Sequence, residues 1–350
     1  MEKEAVLWKH DGSRIVCTAC ARRCSIPKDS NGFCFVRQNR GGKLVLANYG
    51  VLEAMQIDPI EKKPFNHFMP GTYVLGIGTS SCNWGCLFCQ NHNISKEREI
   101  KGTEFGVEQI VDIALENGVD GIAYTYNEPT IFMEFVLDVA RAAHDKGLFN
   151  VFVTNGYMTK ESICMMKGLV DAVVVNLKGN GEQKFANKYE VVQSNEPVKE
   201  ALVELKRAGI HVELTDLIIP LVGDSLEECR KLSEWVVGEL GKETPIHFTR
   251  FYPDYKMLDF PSTPYETLLN HHKIAVDAGL KFVYIGNVVG NGYGNTYCPS
   301  CGKVCIRRDR FSVVEWKLNK HSGCESCAAK IPIVGEKPKT FDRKEIVCLV

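Results

Sequence analysis

The chain has 350 residues, with 42 Lys and Arg against 43 Asp and Glu. That length suits one large α/β domain with small additions, and the charge balance gives no global electrostatic reason for a nucleic-acid or anionic-membrane partner. No apolar run approaches the roughly 20 residues of a membrane span, and the opening "MEKEAVLWKH" lacks the apolar core of a signal peptide, so a cytoplasmic location is expected. There are 15 cysteines, an odd total, mostly in clusters. In a reducing compartment clustered C-x2-C pairs read as metal sites rather than disulfides. Cys164, Cys229, Cys305 and Cys348 stand outside the clusters and read as buried or free thiols.

In chain order, residues 1–70 hold Cys17, Cys20, Cys24 and Cys34 in "CTACARRC" and "GFCFVRQN". These read as a small metal-stapled segment, holding zinc or an auxiliary iron–sulfur cluster, followed by a Pro-rich connector, "DPIEKKPFNHFMPG". Residues 71–290 alternate β-rich runs with helix-period segments. Strands are expected at "YVLGIGTS", "GIAYTYN", "NVFVTNG", "DAVVVNLKG", "HVELTDLIIP", "PIHFTRFYP" and "FVYIGNV". Helices between them include "VEQIVDIALENG", "TIFMEFVLDVARAAHDKG", "VKEALVELKRAG" and "LEECRKLSEWVVGELG". Ser225 with Glu228, and Thr263 with Pro264 and Glu266, read as helix starts. Gly118, Gly147, Gly209 and Gly279 fall where helices should end. Six strand–helix units and a last strand suit an α/β fold, a partial (β/α)6 barrel; a doubly wound sheet is the alternative, without the G-x-G-x-x-G fingerprint after its first strand. Residues 291–350 carry "CPSC" and "CESC", that is Cys298, Cys301, Cys324 and Cys327. Two C-x2-C knuckles of this spacing predict a zinc-ribbon or rubredoxin-like segment, holding zinc or one iron. The basic run "CIRRDRF" within it reads as a solvated charged hairpin, with nucleic-acid contact as the alternative.

The loop after the first barrel strand, "SSCNWGCLFCQN", has three cysteines, Cys82, Cys86 and Cys89, spaced C-x3-C-x2-C. Three thiolates can hold three irons of a [4Fe–4S] cluster and leave the fourth iron open to an exogenous chelator. The other reading is a zinc site completed by His92 or His67. Functional groups of (β/α) barrels come from the C-terminal ends of strands. Polar residues recur there: Asn127 and Glu128, Thr154 and Asn155, Asn176 and Lys178, then His247, Arg250 and Asn287.

C-x3-C-x2-C with Phe88 before its last cysteine resembles the motif of radical S-adenosylmethionine (SAM) enzymes. "DPIEKKPFNHFMPG" precedes it, and "YTYNEPT", "VTNGY", "NLKG", "LIIP", "HFTRFYPDYKM" and "VYIGN" follow in order. Together they resemble the AmmeMemoRadiSam-system radical SAM enzymes, relatives of the pyruvate formate-lyase-activating enzymes. The resemblance implies that SAM binds the open iron through its amino and carboxylate groups. It further implies that an electron from the reduced cluster cleaves SAM to methionine and a 5′-deoxyadenosyl radical, which abstracts hydrogen from a substrate. In that reading Cys82, Cys86 and Cys89 are catalytic, Glu128 beside Asn127 takes the SAM amino group, and Phe88 contacts the adenine. Thr154 and Asn155 approach the ribose and methionine, Lys178 beside Asn176 holds the carboxylate, and His247 approaches the adenosine. His247 also reads as a satisfied core histidine, and Arg250 as a substrate anchor or an internal ion pair.

Where some activases carry cation-binding aspartates, this chain has Val153 and Asn176, so no cation site is expected. The polar stretch after Lys178, "GNGEQKFANKYEVVQSNEP", reads as a cover over the substrate. Three substrate classes are open: a small molecule, a glycyl-radical enzyme activated as a protein partner, and RNA. The implied partners are an electron donor such as ferredoxin or flavodoxin and the other two protein families of the three-gene system; no membrane partner is expected.

Overall fold

A computed structural model describes residues 2–290, 292–338 and 347–350. Strand β1 (Ala54–Pro59) runs antiparallel to β2 (Tyr73–Gly78). From β2 onward the sheet is parallel: β3 (Gly121–Tyr124), β4 (Phe149–Thr154), β5 (Ala172–Lys178), β6 (His211–Ile218), β7 (Ile246–Arg250) and β8 (Val283–Gly286). Each pairs with the next in chain order, and Val347–Cys348 adds to the far edge of β1. A doubly wound sheet reverses its strand order at a switch point. This sheet never does, so it is the partial (β/α)6 barrel expected.

The crossover helices are α1 (Val107–Glu116), α2 (Met133–Asp145), α3 (Lys160–Met166), α4 (Glu196–Arg207), α5 (Leu226–Trp235) and α6 (Tyr265–Asp277). Four of the terminators are glycines with positive φ, Gly118 at 58°, Gly147 at 78°, Gly209 at 79° and Gly279 at 107°, a conformation a Cβ would strain. Ser225 caps α5, its hydroxyl accepting from the Glu228 N–H at 3.3 Å. Thr263 departs from expectation, because α6 begins after Pro264 without a side-chain cap. The Thr263 hydroxyl is buried and already committed: it donates to Ile218 O at 2.6 Å and accepts from Phe251 N–H at 2.8 Å.

Successive strand residues face opposite ways. Leu75, Phe152 and Val175 join the large cluster beneath the helices. Val74, Val151 and Val174 face inward and pack on Ile60, Phe65 and Phe68. The Pro-rich connector is therefore a plug in the barrel floor. Burying Phe65 and Phe68 contributes about 1.5–3 kcal/mol each. Buried Glu213 on β6 fastens the plug, accepting the backbone N–H groups of Asn66, His67 and Phe68 at 2.8–3.1 Å.

Before β1, two small antiparallel sheets bring their apolar residues, Ile15 and Leu44 among them, into the main core. At the other end a three-stranded sheet of Thr296–Tyr297, Val304–Asp309 and Ser312–Trp316 packs on Phe282 and Tyr284 at β8. Cys229 and Cys305 are buried, and Cys164 and Cys348 are exposed. No helix among the described residues is long and apolar enough to cross a membrane.

Candidate active site

The C-terminal ends of the strands surround a cavity of about 880 Å³. All eleven barrel residues expected to serve cluster or SAM line it, from Cys82 to His247, as does Asn287. Arg250 does not; its guanidinium lies over the Tyr252 ring, 5.3 Å from the centroid.

The cysteine loop is held by asparagines on the neighbouring strand ends. Ser81 and Tyr126 have positive φ, 73° and 71°, which costs about 1–3 kcal/mol for a non-glycine residue. Both are tied down. Asn127 accepts from Thr79 N–H at 3.3 Å and donates to Ser81 O at 2.7 Å, while Asn91 donates to Tyr126 O at 2.7 Å. Asn155 donates to the Asn83 side chain at 2.8 Å. The polar stretch after Lys178 supports the loop from behind: Gly85 and Leu87 N–H groups donate to Glu190 and Tyr189 carbonyls at 3.0 and 2.9 Å. No residue of 179–195 lines the cavity, so this stretch is a brace and not the cover expected. Phe185 packs on Phe88 at 5.7 Å between centroids.

Burial pushes the Cys82 thiol up to about 11, and the Lys96 cation opposes that rise. Burial lowers the Lys96 pKa, but the three facing cysteines outweigh it and the net shift is upward. Lys96 Nζ also donates to Trp84 O at 3.0 Å. Lys96 lines the cavity, and no motif in the sequence singles it out.

Glu128 is buried and surrounded by donors. Oε1 accepts from Thr130 N–H at 3.1 Å and Oε2 from Asn155 N–H at 2.8 Å, and the Thr154 hydroxyl reaches both oxygens. Burial raises its pKa against these bonds. Because every neighbour donates, the geometry suits the carboxylate, which joins the tips of β3 and β4. Lys178 Nζ donates to Asn176 Oδ1 at 3.1 Å, and the same oxygen accepts from Thr215 Oγ1 at 2.5 Å. Burial lowers the Lys178 pKa, opposed by Cys86, Glu190 and Asp216. With its one oxygen engaged and Val153 opposite, Asn176 is a poor cation ligand.

His247 is both buried and part of the cavity wall. It pairs with Glu213 Oε2 at 3.0 Å and stacks on Tyr284 at 4.8 Å. Burial alone would raise Glu213, but hydrogen bonds from His211 and His247 hold it well below the usual carboxylate range. Glu213 thus links the floor plug to the wall histidine. The hairpin of the C-terminal sheet turns inward, with Arg308, Arg310 and Phe311 on the cavity. Arg308 is no solvated charge: its side chain is 2% exposed and pairs with Glu61, also 2%, at 3.3 Å. Arg307, paired with Glu315, is the exposed member.

The cysteine sets differ in spacing. Tetrahedral zinc with bonds of about 2.3 Å puts sulfurs about 3.8 Å apart. Cys298–Cys327 and Cys301–Cys324 stand at 3.5 and 3.8 Å, and all four sulfurs lie within 4.8 Å of one another. That set fits one metal ion. Among the described residues no such group forms around Cys82, Cys86 and Cys89. His67 has both ring nitrogens engaged, with Pro332 O at 3.1 Å and Tyr284 OH at 2.7 Å. His92 stacks on Tyr255, with Nε2 3.5 Å from Asp254. Three open-spaced thiols facing a cavity fit a cluster with one free iron better than a closed zinc site.

The model of the radical SAM superfamily matches residues 77–236. An uncharacterized protein of Methanocaldococcus jannaschii is 42% identical over 336 residues, 95% of this chain and 99% of that protein. A radical SAM methyltransferase from Sphaerobacter thermophilus shares the fold, with a TM-score of 0.50 at 16% identity over 68% of this chain and 71% of that one. A domain of pyruvate-formate lyase-activating enzyme from Bacteroides vulgatus has a TM-score of 0.40 at 16% identity, covering 48% of this chain and 99% of the domain. The matched segment contains the cysteine loop and most of the strand ends around the cavity, and residues 77–236 form a radical SAM domain.

Proposed function

We propose that this chain is an oxidoreductase-type radical SAM enzyme that abstracts hydrogen from a small-molecule substrate. The radical SAM domain implies SAM and an iron–sulfur cluster. Cys82, Cys86 and Cys89 would hold a [4Fe–4S] cluster, leaving one iron for SAM. The observation that carries the reading is the set of three cavity-facing thiols, around which no closed group of metal ligands forms among the described residues, ringed by the strand-end polar groups. When bound, the pair supplies reductive cleavage of the sulfonium and the 5′-deoxyadenosyl radical that takes the hydrogen atom. The chain's own residues orient and shield. Lys178 is assigned to the SAM carboxylate, Glu128 to the amino group and to holding Thr154 and Asn155, Phe88 to the adenine side, and His247 to the adenosine.

A small-molecule substrate is favoured because the cavity of about 880 Å³ must also take the cluster and SAM, which leaves room for a small ligand, and because Arg308, Arg310 and Phe311 of the C-terminal hairpin line its wall. The AmmeMemoRadiSam assignment rests on the ordered motifs. With it go a cytoplasmic location, a ferredoxin or flavodoxin donor, partnership with the two companion families, and zinc in the C-terminal site. Anaerobic reconstitution with dithionite and SAM tests the reading: 5′-deoxyadenosine forms with wild type and not with the Cys82/Cys86/Cys89→Ala variant. Unchanged iron content in that variant refutes the cluster assignment. Label transfer from protein or RNA into 5′-deoxyadenosine, rather than from small molecules, refutes the substrate class and supports the activase or RNA reading.

A further inference from the structure

The N-terminal cysteines neither line the barrel cavity nor close on a single ion. Cys17, Cys20, Cys24 and Cys34 face a single small cavity behind the cysteine loop. Cys17 and Cys34 are only 5% and 7% exposed. The C-terminal set in the same chain closes to the sulfur spacing of a single ion, whereas no three of the N-terminal sulfurs lie within 4.8 Å of one another. They share this wider spacing with Cys82, Cys86 and Cys89. A single zinc ion draws its four thiolates together at one bond length. An iron–sulfur cluster puts its own core of irons and sulfides between them, so the thiolates stand further apart.

A second observation points to an anionic occupant. Arg37 lines this cavity with its side chain 2% exposed. Its Nε donates to Ile131 O at 3.0 Å and its Nη2 to Glu134 at 2.6 Å, while the buried Nη1 has no partner. An orphaned buried guanidinium nitrogen costs free energy unless something accepts from it. On the other side the Phe33 N–H donates to Cys24 Sγ at 3.5 Å, the kind of hydrogen bond to sulfur that tunes cluster potential. The cavity also abuts the catalytic loop. Asn83 lines it, while its neighbour Cys82 lines the barrel cavity, and Arg22 Nε donates to the Asn83 carbonyl.

We propose that Cys17, Cys20, Cys24 and Cys34 bind a second iron–sulfur cluster, fully ligated by cysteine and set against the loop of the first. The test uses the full chain, reconstituted anaerobically with ferrous iron and sulfide, and reads iron, sulfide and zinc together with Mössbauer spectra. In the Cys82/Cys86/Cys89→Ala variant, which lacks the SAM-cluster ligands, the proposal expects roughly half of the wild-type iron and sulfide to remain, as a cubane signal. A Cys17/Cys34→Ser variant loses the complementary half yet keeps the cluster on the barrel loop. Zinc in place of iron and sulfide in the Cys82/Cys86/Cys89→Ala protein, at two ions per chain, overturns the proposal. Because a single ion at the C-terminal set brings no sulfide, sulfide in this variant reads the N-terminal site alone, and failure there is separate from failure of the barrel cluster, which the Cys17/Cys34→Ser protein reports. If the serine variant does not fold, the alanine variant still decides.

Discussion

Glu128→Gln is the smallest change that should loosen the active-site rim, and its cost follows from hydrogen-bond polarity. The two carboxylate oxygens each accept a backbone N–H, Thr130 on one and Asn155 on the other. A glutamine amide has one acceptor oxygen and one donor nitrogen. Whichever way it is turned, its NH2 faces a backbone N–H at about the 2.8 or 3.1 Å spacing these bonds now have. Leaving one buried donor unpaired costs about 1–3 kcal/mol, and replacing charge-assisted bonds with neutral ones adds to it. A cost of about 2 kcal/mol corresponds to roughly 30-fold in a local opening equilibrium. Residue-resolved hydrogen exchange checks this without requiring global two-state unfolding. The Thr130 or Asn155 amide should exchange roughly 30-fold faster in the variant, while Leu214 in the core of β6 is unchanged. If both amides stay within about threefold of wild type, Glu128 is not the joint between β3 and β4.

Asp216 is buried, with Oδ1 accepting from Asn180 N–H at 3.1 Å and Oδ2 unpaired, and burial pushes its pKa from 3.8 to about 7. The folded state therefore holds the proton more tightly than the unfolded one. Stability should fall as pH rises from 3.8 through about 7 and level off above. Asp216→Asn should flatten that decline in melting temperature, and an equal decline in the variant would contradict the assignment. Arg308→Met leaves Glu61 buried without its cation, at a cost of about 3–5 kcal/mol. The denaturation midpoint should drop, and adding Glu61→Gln should restore part of it; independent, additive losses would show that the two are not coupled. Cys324→Ser opens the C-terminal set, and elemental analysis should find about one fewer metal ion per chain, with faster proteolysis of the hairpin. Unchanged metal content would mean that the four sulfurs hold nothing.

Much of this protein was legible in its sequence. The seven runs of β-branched residues became the seven parallel strands, because a strand buried on both faces needs an almost continuous apolar run. Glycines past the helix ends adopted positive φ as their lack of a Cβ allows. The strand-end polar residues converged on one cavity because a parallel barrel brings all its C-terminal ends to one face. Such readings depend on neighbours a few residues apart.

Contacts between distant residues were settled only by tertiary structure. Glu213 gave no motif, yet it joins the connector to His247 across separations of 145–147 and 34 residues. Lys96 belongs to no motif, and only the folded loop sets its cation facing three thiols. Arg308 read as solvated until it met Glu61, 247 residues away, and Thr263 read as a helix cap until two distant backbone groups claimed its hydroxyl. The three cysteine sets divide along the same line. Their counts, three in one and four in each of the others, are written in the sequence and already mark which site is left open. Whether thiolates close on one ion or stand apart around a larger core depends on the distance between their backbones, and no local pattern encodes that distance.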